Sequence, residues 1–333
     1  MNGPIGRRRF VQSTVGAALA TGARNSGAFE ADNEPRTESM KSFRVAAVAS
    51  RSLPASPESN LEHCAAWTAR AAQAGAALVC FPELSITGYV TTPEIWTAAE
   101  PVPGPSTEKL AELARKAGLI VAAGIAEKDR DIVYDTYVFV GPNGYLGKSR
   151  KIHIPPAEVG YWRGGGVPPV IDIGLAKVGV NVCFDNWLPE SSRLVALQGA
   201  EVLFAPYVWA VGEWGSNPDH ARRNRAWKDY ARRTFPARSI DNGLFLVAVN
   251  ACGPVANGSR QYNGNPVVLI YSPHGQLVGE SPDEASEEVM VLAELRRELL
   301  VERRSQAVFH PRFRRPELYG MLCEGDTGKQ SSR

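Results

Sequence analysis

Residues 179–190 read Gly-Val-Asn-Val-Cys-Phe-Asp-Asn-Trp-Leu-Pro-Glu, and this segment carries the first clue to the fold. An apolar run ends abruptly at Cys183, and Pro189 then opens a segment with helical spacing. Proline is favoured in the first turn of a helix, where its missing N–H is not needed. The pattern predicts a buried strand that delivers Cys183 to the turn before a helix, where its thiol can meet a substrate. The alternative is a small buried apolar residue, the usual role of a free cysteine.

The composition is that of an ordinary globular protein. The chain has 333 residues, of which 44% are hydrophobic and 22% charged, and its formal net charge is +2. This balance gives no reason to expect a nucleic-acid partner. No uninterrupted apolar run reaches the roughly 18 residues that a membrane-spanning helix needs, so no span is expected. The five cysteines are scattered without a Cys-x-x-Cys pair and the five histidines are isolated, so neither a disulfide framework nor a metal site is expected.

Residues 1–40 differ from the rest of the chain. The sequence Arg-Arg-Arg-Phe-Val at residues 7–11 precedes a weakly apolar run of small residues. A basic segment followed by a short apolar one is the layout of a secretory signal, and the paired arginines resemble a twin-arginine export signal. We therefore expect an exported, periplasmic protein; the alternative is a disordered basic leader on a cytoplasmic one. Residues 41–323 are expected to form one domain, and residues 324–333 a disordered tail.

Short apolar runs alternate with amphipathic segments after the leader, the pattern of an α/β protein. Gly-Pro-Asn-Gly at residues 141–144 predicts a hairpin, because Asn-Gly accepts positive φ. Residues 74–82 and 198–206 echo each other, since each is a helix end, a glycine, an apolar run and a proline. We predict one domain in which two mixed β-sheets pack together with helices outside. Near the C-terminus we predict a helix over residues 294–304 and an extended segment over residues 309–319.

Three separate segments carry residues that could act together as a catalytic group. Glu83 follows the apolar run at residues 78–82, Lys151 lies in a basic segment, and Cys183 ends its own strand. A thiol with a pKa of about 8.5 needs a base or a cation to attack at neutral pH. A carboxylate can take its proton, and an ammonium group can stabilise a developing oxyanion. Taken singly, Glu83 and Lys151 are typical of solvated surface charges; together with Cys183 they predict a base, a cation and a nucleophile.

These residues and their flanks resemble the nitrilase superfamily of carbon–nitrogen hydrolases over most of the chain. The family's glutamate motif is similar to Phe-Pro-Glu-Leu at 81–84 with Gly-Tyr at 88–89, and its lysine motif to Arg-Lys-Ile-His-Ile at 150–154. Its cysteine motif is similar to Cys-Phe-Asp at 183–185 with Pro-Glu at 189–190 and Ala-Leu-Gln-Gly-Ala-Glu at 196–201. Its later segment resembles Ala-Arg-Ser-Ile-Asp-Asn at 237–242 and Val-Asn at 249–250.

The resemblance implies an α/β fold, namely a four-layer αββα sandwich with two mixed β-sheets. It implies no metal, no cofactor, and a homodimer or higher homo-oligomer. In the family's mechanism Glu83 would be the general base, Cys183 the nucleophile that forms a thioester, and Lys151 the stabiliser of the oxyanion. The backbone N–H of Phe184 would complete the oxyanion site. Glu158, the carboxylate that follows the lysine motif, would be the second glutamate that many members carry.

The residues after Cys183 bear on the substrate. Nitrilases of this superfamily usually follow the cysteine with Trp-Glu, whereas this chain has Phe-Asp, as amidases and carbamoylases do. Members that hydrolyse N-carbamoyl amino acids tend to carry arginine just after the cysteine motif, where this chain has Asn186, Trp187 and Leu188. Losing a bidentate arginine disfavours an α-carboxylate substrate. We expect Asn186, Trp187 and Trp209 at the substrate site, with the two tryptophans lining an apolar pocket; the alternative is that these rings belong to the core.

The resemblance therefore predicts hydrolysis of a non-peptide carbon–nitrogen bond in a small linear amide or N-carbamoyl compound, with release of ammonia or an amine. A nitrilase or an amide acyltransferase on the same scaffold is the second hypothesis. A third hypothesis, of a different class, is a binding protein without catalysis. The presence of all three reactive residues disfavours it.

Overall fold

The computed structural model describes residues 40–213, 219–257 and 260–324. Apart from Met40 and Glu324, the predicted leader and tail lie outside these ranges, and both stay predictions. Within the described ranges, every helix is too short or too polar to cross a membrane.

The described residues form short strands and helices in alternation. The strands are β1 (Phe43–Ala49), β2 (Leu78–Cys80), β3 (Ile120–Asp129), β4 (Ile132–Gly141), β5 (Gly144–Arg150), β6 (Ile171–Asp172), β7 (Lys177–Val180), β8 (Val202–Tyr207), β9 (Ala210–Glu213), β10 (Phe245–Asn250), β11 (Gly253–Asn257), β12 (Arg260–Gly264), β13 (Val268–Tyr271), β14 (Leu277–Glu280) and β15 (Val289–Leu295). The helices are α1 (Pro57–Gln73), α2 (Glu94–Ala98), α3 (Pro105–Ala117), α4 (Pro189–Leu197), α5 (His220–Asn242) and α6 (Arg297–Ser305).

Two six-stranded mixed sheets form the framework. The strand order is β15-β1-β2-β3-β4-β5 in the first sheet and β14-β13-β10-β8-β7-β6 in the second. In each sheet three central strands run parallel, and the flanking strands pair antiparallel. The predicted hairpin at residues 141–144 is confirmed, since β4 pairs antiparallel with β5 up to Gly141 and Gly144. A small third sheet, β11-β12-β9, was not predicted.

The two sheets pack face to face, and helices cover both outer faces. The core between the sheets includes Phe139 and Phe204, whose ring centroids lie 5.3 Å apart. Helices α1 and α3 pack on the outer face of the first sheet, and α4 and α5 on that of the second. Along β1, Val45 faces the inner core and Val48 the helix side, as the two-residue period of a strand requires. The predicted four-layer αββα sandwich is confirmed.

The echo between residues 74–82 and 198–206 has a structural meaning. Strands β2 and β8 lie in these segments, and each is flanked by two parallel strands at the centre of its own sheet. Glu83 follows the first strand and Val208 the second. In parallel sheets, ligands bind beyond the carboxyl ends of the strands. The two halves of the fold therefore direct corresponding strand ends to one place.

Near the C-terminus the predicted helix is confirmed over residues 297–304 but starts later than predicted, and the predicted extended segment is wrong. Strand β15 continues to Leu295, which pairs with Phe43, and α6 begins only at Arg297. Leu295 is buried and Glu294 exposed, so the two-residue period of a strand outweighs the helix propensity of these residues. The segment at residues 309–319 is not extended, because its prolines start short 3₁₀ turns.

Candidate active site

Three predicted site residues meet in one buried cluster. The Lys151 ammonium group lies 2.7 Å from Glu83 Oε1 and 2.8 Å from Glu158 Oε2. All three side chains are buried, while Cys183 is partly exposed and borders a pocket. The structure thus brings the predicted base, cation and second glutamate to the predicted nucleophile.

The cluster forms where strands of both sheets end. Glu83 lies three residues beyond β2, and Lys151 directly follows β5. In the second sheet, Cys183 lies three residues beyond β7, and Val208 directly follows β8. The Val208 N–H donates to Glu83 Oε2 at 2.6 Å, and its proximity acts to lower the pKa of the Cys183 thiol. The backbone of the second sheet at Val208 therefore lies beside both the carboxylate from the first sheet and the thiol.

The turn at Cys183 is strained. The φ of Cys183 is +46°, in the left-handed region that residues other than glycine rarely adopt. A 3₁₀ segment, Cys183–Trp187, begins there, and Pro189 then opens α4. The predicted strand, turn and helix around the cysteine are confirmed. Strain of this kind persists where the surrounding structure holds it, and it is common at functional sites.

The structure does not bring Asn186 to the pocket. Its side chain is fully buried, and Nδ2 donates to the carbonyls of Asn181 at 2.8 Å and Cys183 at 3.1 Å. We predicted Asn186 at the substrate from its place after the cysteine motif. The 3₁₀ turn instead points the side chain inward, where it fastens the turn. Sequence position alone gave no sign of this direction.

Asp185 connects the cysteine turn to the lysine segment. Its Oδ2 accepts the N–H of Val182 at 3.1 Å, and Oδ1 accepts the N–H of His153 at 2.8 Å. The N–H of Ile152 reaches both oxygens at 3.2 Å. The carboxylate is buried and therefore depends on these donors. It holds the backbone on either side of the site at a fixed separation.

Burial and neighbouring charges set the protonation states. Burial raises the pKa of the Cys183 thiol well above its ordinary value, and Glu83 raises it further. The Lys151 ammonium and the Val208 N–H oppose this rise without cancelling it. Burial acts to lower the pKa of Lys151, but Glu83 and the other acidic neighbours hold it well above its usual value. At neutral pH the resting site holds a neutral thiol and a charged lysine, so attack requires a base.

Glu158 reaches the lysine because the chain turns sharply after the lysine motif. Its backbone N–H donates to the carbonyl of Pro155 at 2.9 Å, closing a turn. Glu158 Oε2 then accepts from Lys151, and Oε1 accepts from the Tyr89 hydroxyl at 2.9 Å. Burial raises the pKa of Glu158, although the Lys151 ammonium opposes the rise. The carboxylate therefore holds Lys151 in place.

Asp135 is a site residue that sequence reasoning missed. It lies on β4, where Thr136 pairs with Arg150, and its carbonyl accepts the N–H of Lys151 at 2.8 Å. Its side chain is buried, with Oδ2 3.5 Å from Lys151 Nζ. The available signal was a single carboxylate in the otherwise apolar or uncharged run at residues 132–140.

Glu83, Asp135 and Glu158 each place one oxygen within 4.8 Å of the others, the spacing of a metal site. Lys151 Nζ lies within 3.5 Å of all three carboxylates. A metal ion at their centre would be repelled by this ammonium charge at contact distance. Lys151 therefore already supplies the positive charge that these carboxylates need.

A pocket of about 380 Å³ opens at Cys183. Phe184, Trp187 and Trp209, all predicted at the substrate, line it. The ring centroid of Trp187 lies 6.0 Å from that of Trp209 and 5.0 Å from that of Tyr230. Trp187 remains 48% exposed, so it belongs to the pocket wall and not to the core.

Asn250 fixes the backbone of the pocket wall. Its Oδ1 accepts the N–H of Trp209 at 2.7 Å, and its Nδ2 donates to the Trp209 carbonyl at 2.9 Å. The same Nδ2 donates to the Asn265 carbonyl at 2.8 Å. Asn250 is fully buried at the end of β10. The Val-Asn pair at residues 249–250, part of the family's later segment, thus positions the backbone of Trp209.

Comparison with known proteins bears directly on this site. Residues 44–305 match the carbon–nitrogen hydrolase family. The chain belongs to that family. The hydrolase is 34% identical to a nitrilase of Pyrococcus abyssi over 239 residues, which cover 71% of this chain and 83% of that one. It is 30% identical to an omega-amidase of Xenopus tropicalis over 295 residues, which cover 85% and 98% of the two chains.

A solved structure shares the fold. The carbon–nitrogen hydrolase from Helicobacter pylori G27 superposes with a TM-score of 0.74 at 23% identity, covering 85% of this hydrolase and 99% of that chain. The resemblance to the nitrilase superfamily and its amidase-like branch is confirmed. The protein is a hydrolase of carbon–nitrogen bonds other than peptide bonds.

Proposed function

We propose that the protein hydrolyses a small linear amide or N-carbamoyl compound through a thioester at Cys183. The observation that carries this proposal is the placement of a thiol at the pocket, beside the Val208 N–H that donates to the Glu83 carboxylate. The thiol is neutral at rest, so a base within reach is what the chemistry requires. Lys151, charged and hydrogen-bonded to Glu83, lies on the same side.

Glu83 acts first as a base. It takes the Cys183 proton, and the thiolate attacks the carbonyl carbon to form a C–S bond. The negative oxygen of the tetrahedral intermediate is stabilised by Lys151 and by the N–H of Phe184. The C–N bond then breaks while the nitrogen takes the proton from Glu83 and leaves as ammonia or an amine.

Water completes the cycle. Glu83, again a base, takes a proton from water, and the oxygen attacks the thioester carbon. The C–S bond breaks, the sulfur regains the proton, and the carboxylic or carbamic acid leaves. Glu158 holds Lys151 throughout by its 2.8 Å hydrogen bond. The ammonium group therefore keeps its position while the negative charge passes from the thiolate to the oxyanion.

We propose that the acyl part of the substrate is uncharged. Phe184, Trp187, Trp209 and Val255 present aromatic or aliphatic groups to the pocket. Among the described lining residues there is no arginine, lysine or histidine that could pair with a substrate carboxylate. A carboxylate buried against these rings would lose its hydration without a partner. Glu158 also lines the pocket, but its carboxylate already accepts from Lys151 and Tyr89 and is not free to pair with a substrate ammonium group. An amide with an aliphatic or aromatic acyl group fits this wall best.

A substrate series of matched length tests the proposal. We expect hexanamide to release ammonia faster than the monoamide of a six-carbon dicarboxylic acid or 6-aminohexanamide, by at least about tenfold in kcat/KM. Hexanenitrile is the test of the nitrilase hypothesis, and hydroxylamine as acceptor tests the acyltransferase. Faster turnover of the nitrile than of the amide would overturn the proposed reaction. Faster turnover of either charged amide would overturn the proposed acyl group.

The matched control for the nucleophile is a second cysteine. Cys183→Ala is expected to abolish ammonia release, whereas Cys323→Ala, at an exposed cysteine away from the pocket, is expected to keep it. Burial raises the pKa of Cys64 and Cys252 to about 12, so neither competes as a nucleophile. Full activity in Cys183→Ala would contradict the mechanism.

Export and assembly are separate proposals. We propose export through the twin-arginine-like sequence at residues 7–11; if deleting residues 1–39 leaves the protein's compartment unchanged, that proposal is wrong.

We also propose a homodimer, supported by apolar side chains near the C-terminus, among them Phe313 and Met321, which are 65% and 82% exposed. A monomeric mass by light scattering would overturn it.

A further inference from the structure

Among the residues that the structure describes, none donates a hydrogen bond to the Asp135 carboxyl group that would stabilise it as an anion. It is buried, and neither of its oxygens accepts a hydrogen bond from any residue in the described ranges. Lys151 Nζ lies 3.5 Å from Oδ2, beyond the 2.7 and 2.8 Å at which it donates to Glu83 and Glu158. Buried ionised carboxylates normally accept several hydrogen bonds. Asp135 is therefore the least stabilised anion of the three around Lys151.

Glu83 supplies the partner that Asp135 lacks. The two carboxyl groups are neighbours in the buried cluster, with one oxygen of each within 4.8 Å of the other, and a hydrogen bond between them is the contact that would satisfy Asp135. Two carboxylates are both acceptors, so this bond forms only when one of them carries a proton. Glu83 already accepts from Lys151 on Oε1 and from the Val208 N–H on Oε2, which favours its ionised form. The proton therefore belongs on Asp135.

The charge of the cluster leads to the same assignment. Three ionised carboxylates and one ammonium group would leave a net charge of −2 in a space closed to solvent, beside a thiol that must also lose its proton. Burial raises the pKa of Asp135 well above its usual value, and the charge of Glu83 raises it further. The charged and titratable groups around Asp135 are Glu83, Lys151 and Glu158, with Cys183 and Tyr89 beyond them.

We propose that Asp135 is a positioning residue that stays a neutral acid and donates its O–H to Glu83, so that the Glu83 carboxylate keeps a fixed orientation towards Cys183. The proposal rests on the proposed function in one respect, namely that Glu83 is the base for Cys183. The third hydrogen bond also stabilises the ionised form of Glu83.

The test uses Asp135→Asn and Asp135→Ala in a Cys323→Ala background, with Cys183 alkylation by iodoacetamide followed from pH 5 to pH 9. The asparagine amide is neutral and can donate an N–H to Glu83, whereas alanine cannot. We expect alkylation in Asp135→Ala to be at least about tenfold slower, with its midpoint moved to higher pH, because Glu83 loses a donor. Asp135→Asn is expected to keep the native midpoint and to react at least about fivefold faster than Asp135→Ala.

An ionised Asp135 would give a different pH dependence of Cys183 alkylation. If Asp135 were ionised in the native protein, Asp135→Asn would remove a negative charge, the remaining carboxylates would ionise more easily, and the midpoint would move to lower pH. That shift, or equal loss in both variants, overturns the proposal.

A spectroscopic measurement covers the case in which a variant folds poorly. Infrared spectra of the native protein at pH 7, with and without ¹³C-labelled aspartate, are expected to show the carbonyl band of a protonated, buried carboxyl group. Its absence overturns the proposal. Neither readout needs turnover: failure of every amide to react, with these results intact, would count against the proposed function alone.

Discussion

The His153 ring and the Asp185 carboxylate lie in direct contact, with Nδ1 2.8 Å from Oδ1. His153 belongs to the segment after Lys151, and Asp185 to the turn after Cys183. The contact adds a side-chain link to the backbone N–H groups that Asp185 already accepts. The two halves of the site are therefore joined through a pair whose strength depends on pH.

This pair predicts a pH-dependent stability. The hydrogen bond to Asp185 raises the pKa of His153, although partial burial opposes it. A histidine with a raised folded pKa contributes stability that is complete below its unfolded pKa, about 6.5, and is lost as pH rises through the folded value. The loss of unfolding free energy in His153→Gln should be larger at pH 5.5 than at pH 9, as measured by urea denaturation. In Asp185→Asn, adding His153→Gln should cause no such difference; a difference of equal size there contradicts the link.

Only a residue without a Cβ fits at position 124, next to the backbone that carries Glu83. A Cβ at Gly124 on β3 would lie 2.1 Å from the backbone nitrogen of Leu84 and 2.9 Å from Glu83 Cα. Backbone atoms cannot yield to such an approach, so Gly124→Ala must displace the segment that carries the base. We expect kcat/KM to fall at least about 100-fold and unfolding free energy to fall by about 2 kcal/mol.

The control for Gly124 is Gly166, where an added Cβ would meet nothing within 4 Å. Gly166→Ala is expected to match the native protein in activity and in thermal midpoint. Native activity in Gly124→Ala would show that Glu83 does not need its present position.

Trp187 is expected to contribute to substrate binding and not to the chemical step. Its ring lies at the pocket wall against Trp209 and Tyr230. Because it would contact the acyl chain equally before and during reaction, Trp187→Ala should raise KM for hexanamide about tenfold and change kcat by less than about threefold. The matched control is Trp96→Ala: this tryptophan is also 48% exposed but does not line the pocket. Equal effects of both substitutions, or a fall in kcat alone, would contradict the assigned wall.

The fold and the three reactive residues Glu83, Lys151 and Cys183 could be predicted because short stretches of sequence indicate both. Apolar runs that end in Glu83 and Cys183 indicate strands, and Pro189 marks the helix that follows. Family-like motifs then connected residues that lie far apart in sequence. The geometry agrees, since Lys151 and Glu83 are 2.7 Å apart although 68 positions separate them.

What could not be predicted depends on register and side-chain direction. Asp135 meets Lys151 only because β4 and β5 pair in one register, which no single segment reveals. Asn186 points inward because the 3₁₀ turn rotates it away from the pocket, so its place beside Trp187 was misleading. In the small third sheet β12 pairs with β9, a strand far away in sequence, and such pairing leaves little local pattern.

The central claim is that Cys183 carries the acyl group during turnover. Acid quenching of the native protein during steady-state turnover of hexanamide, followed by digestion and mass spectrometry, measures this directly. We expect a hexanoyl thioester on the peptide that contains Cys183, with no such adduct and no ammonia release in Cys183→Ala. An acyl group on another residue, or ammonia release at the native rate from Cys183→Ala, would contradict it.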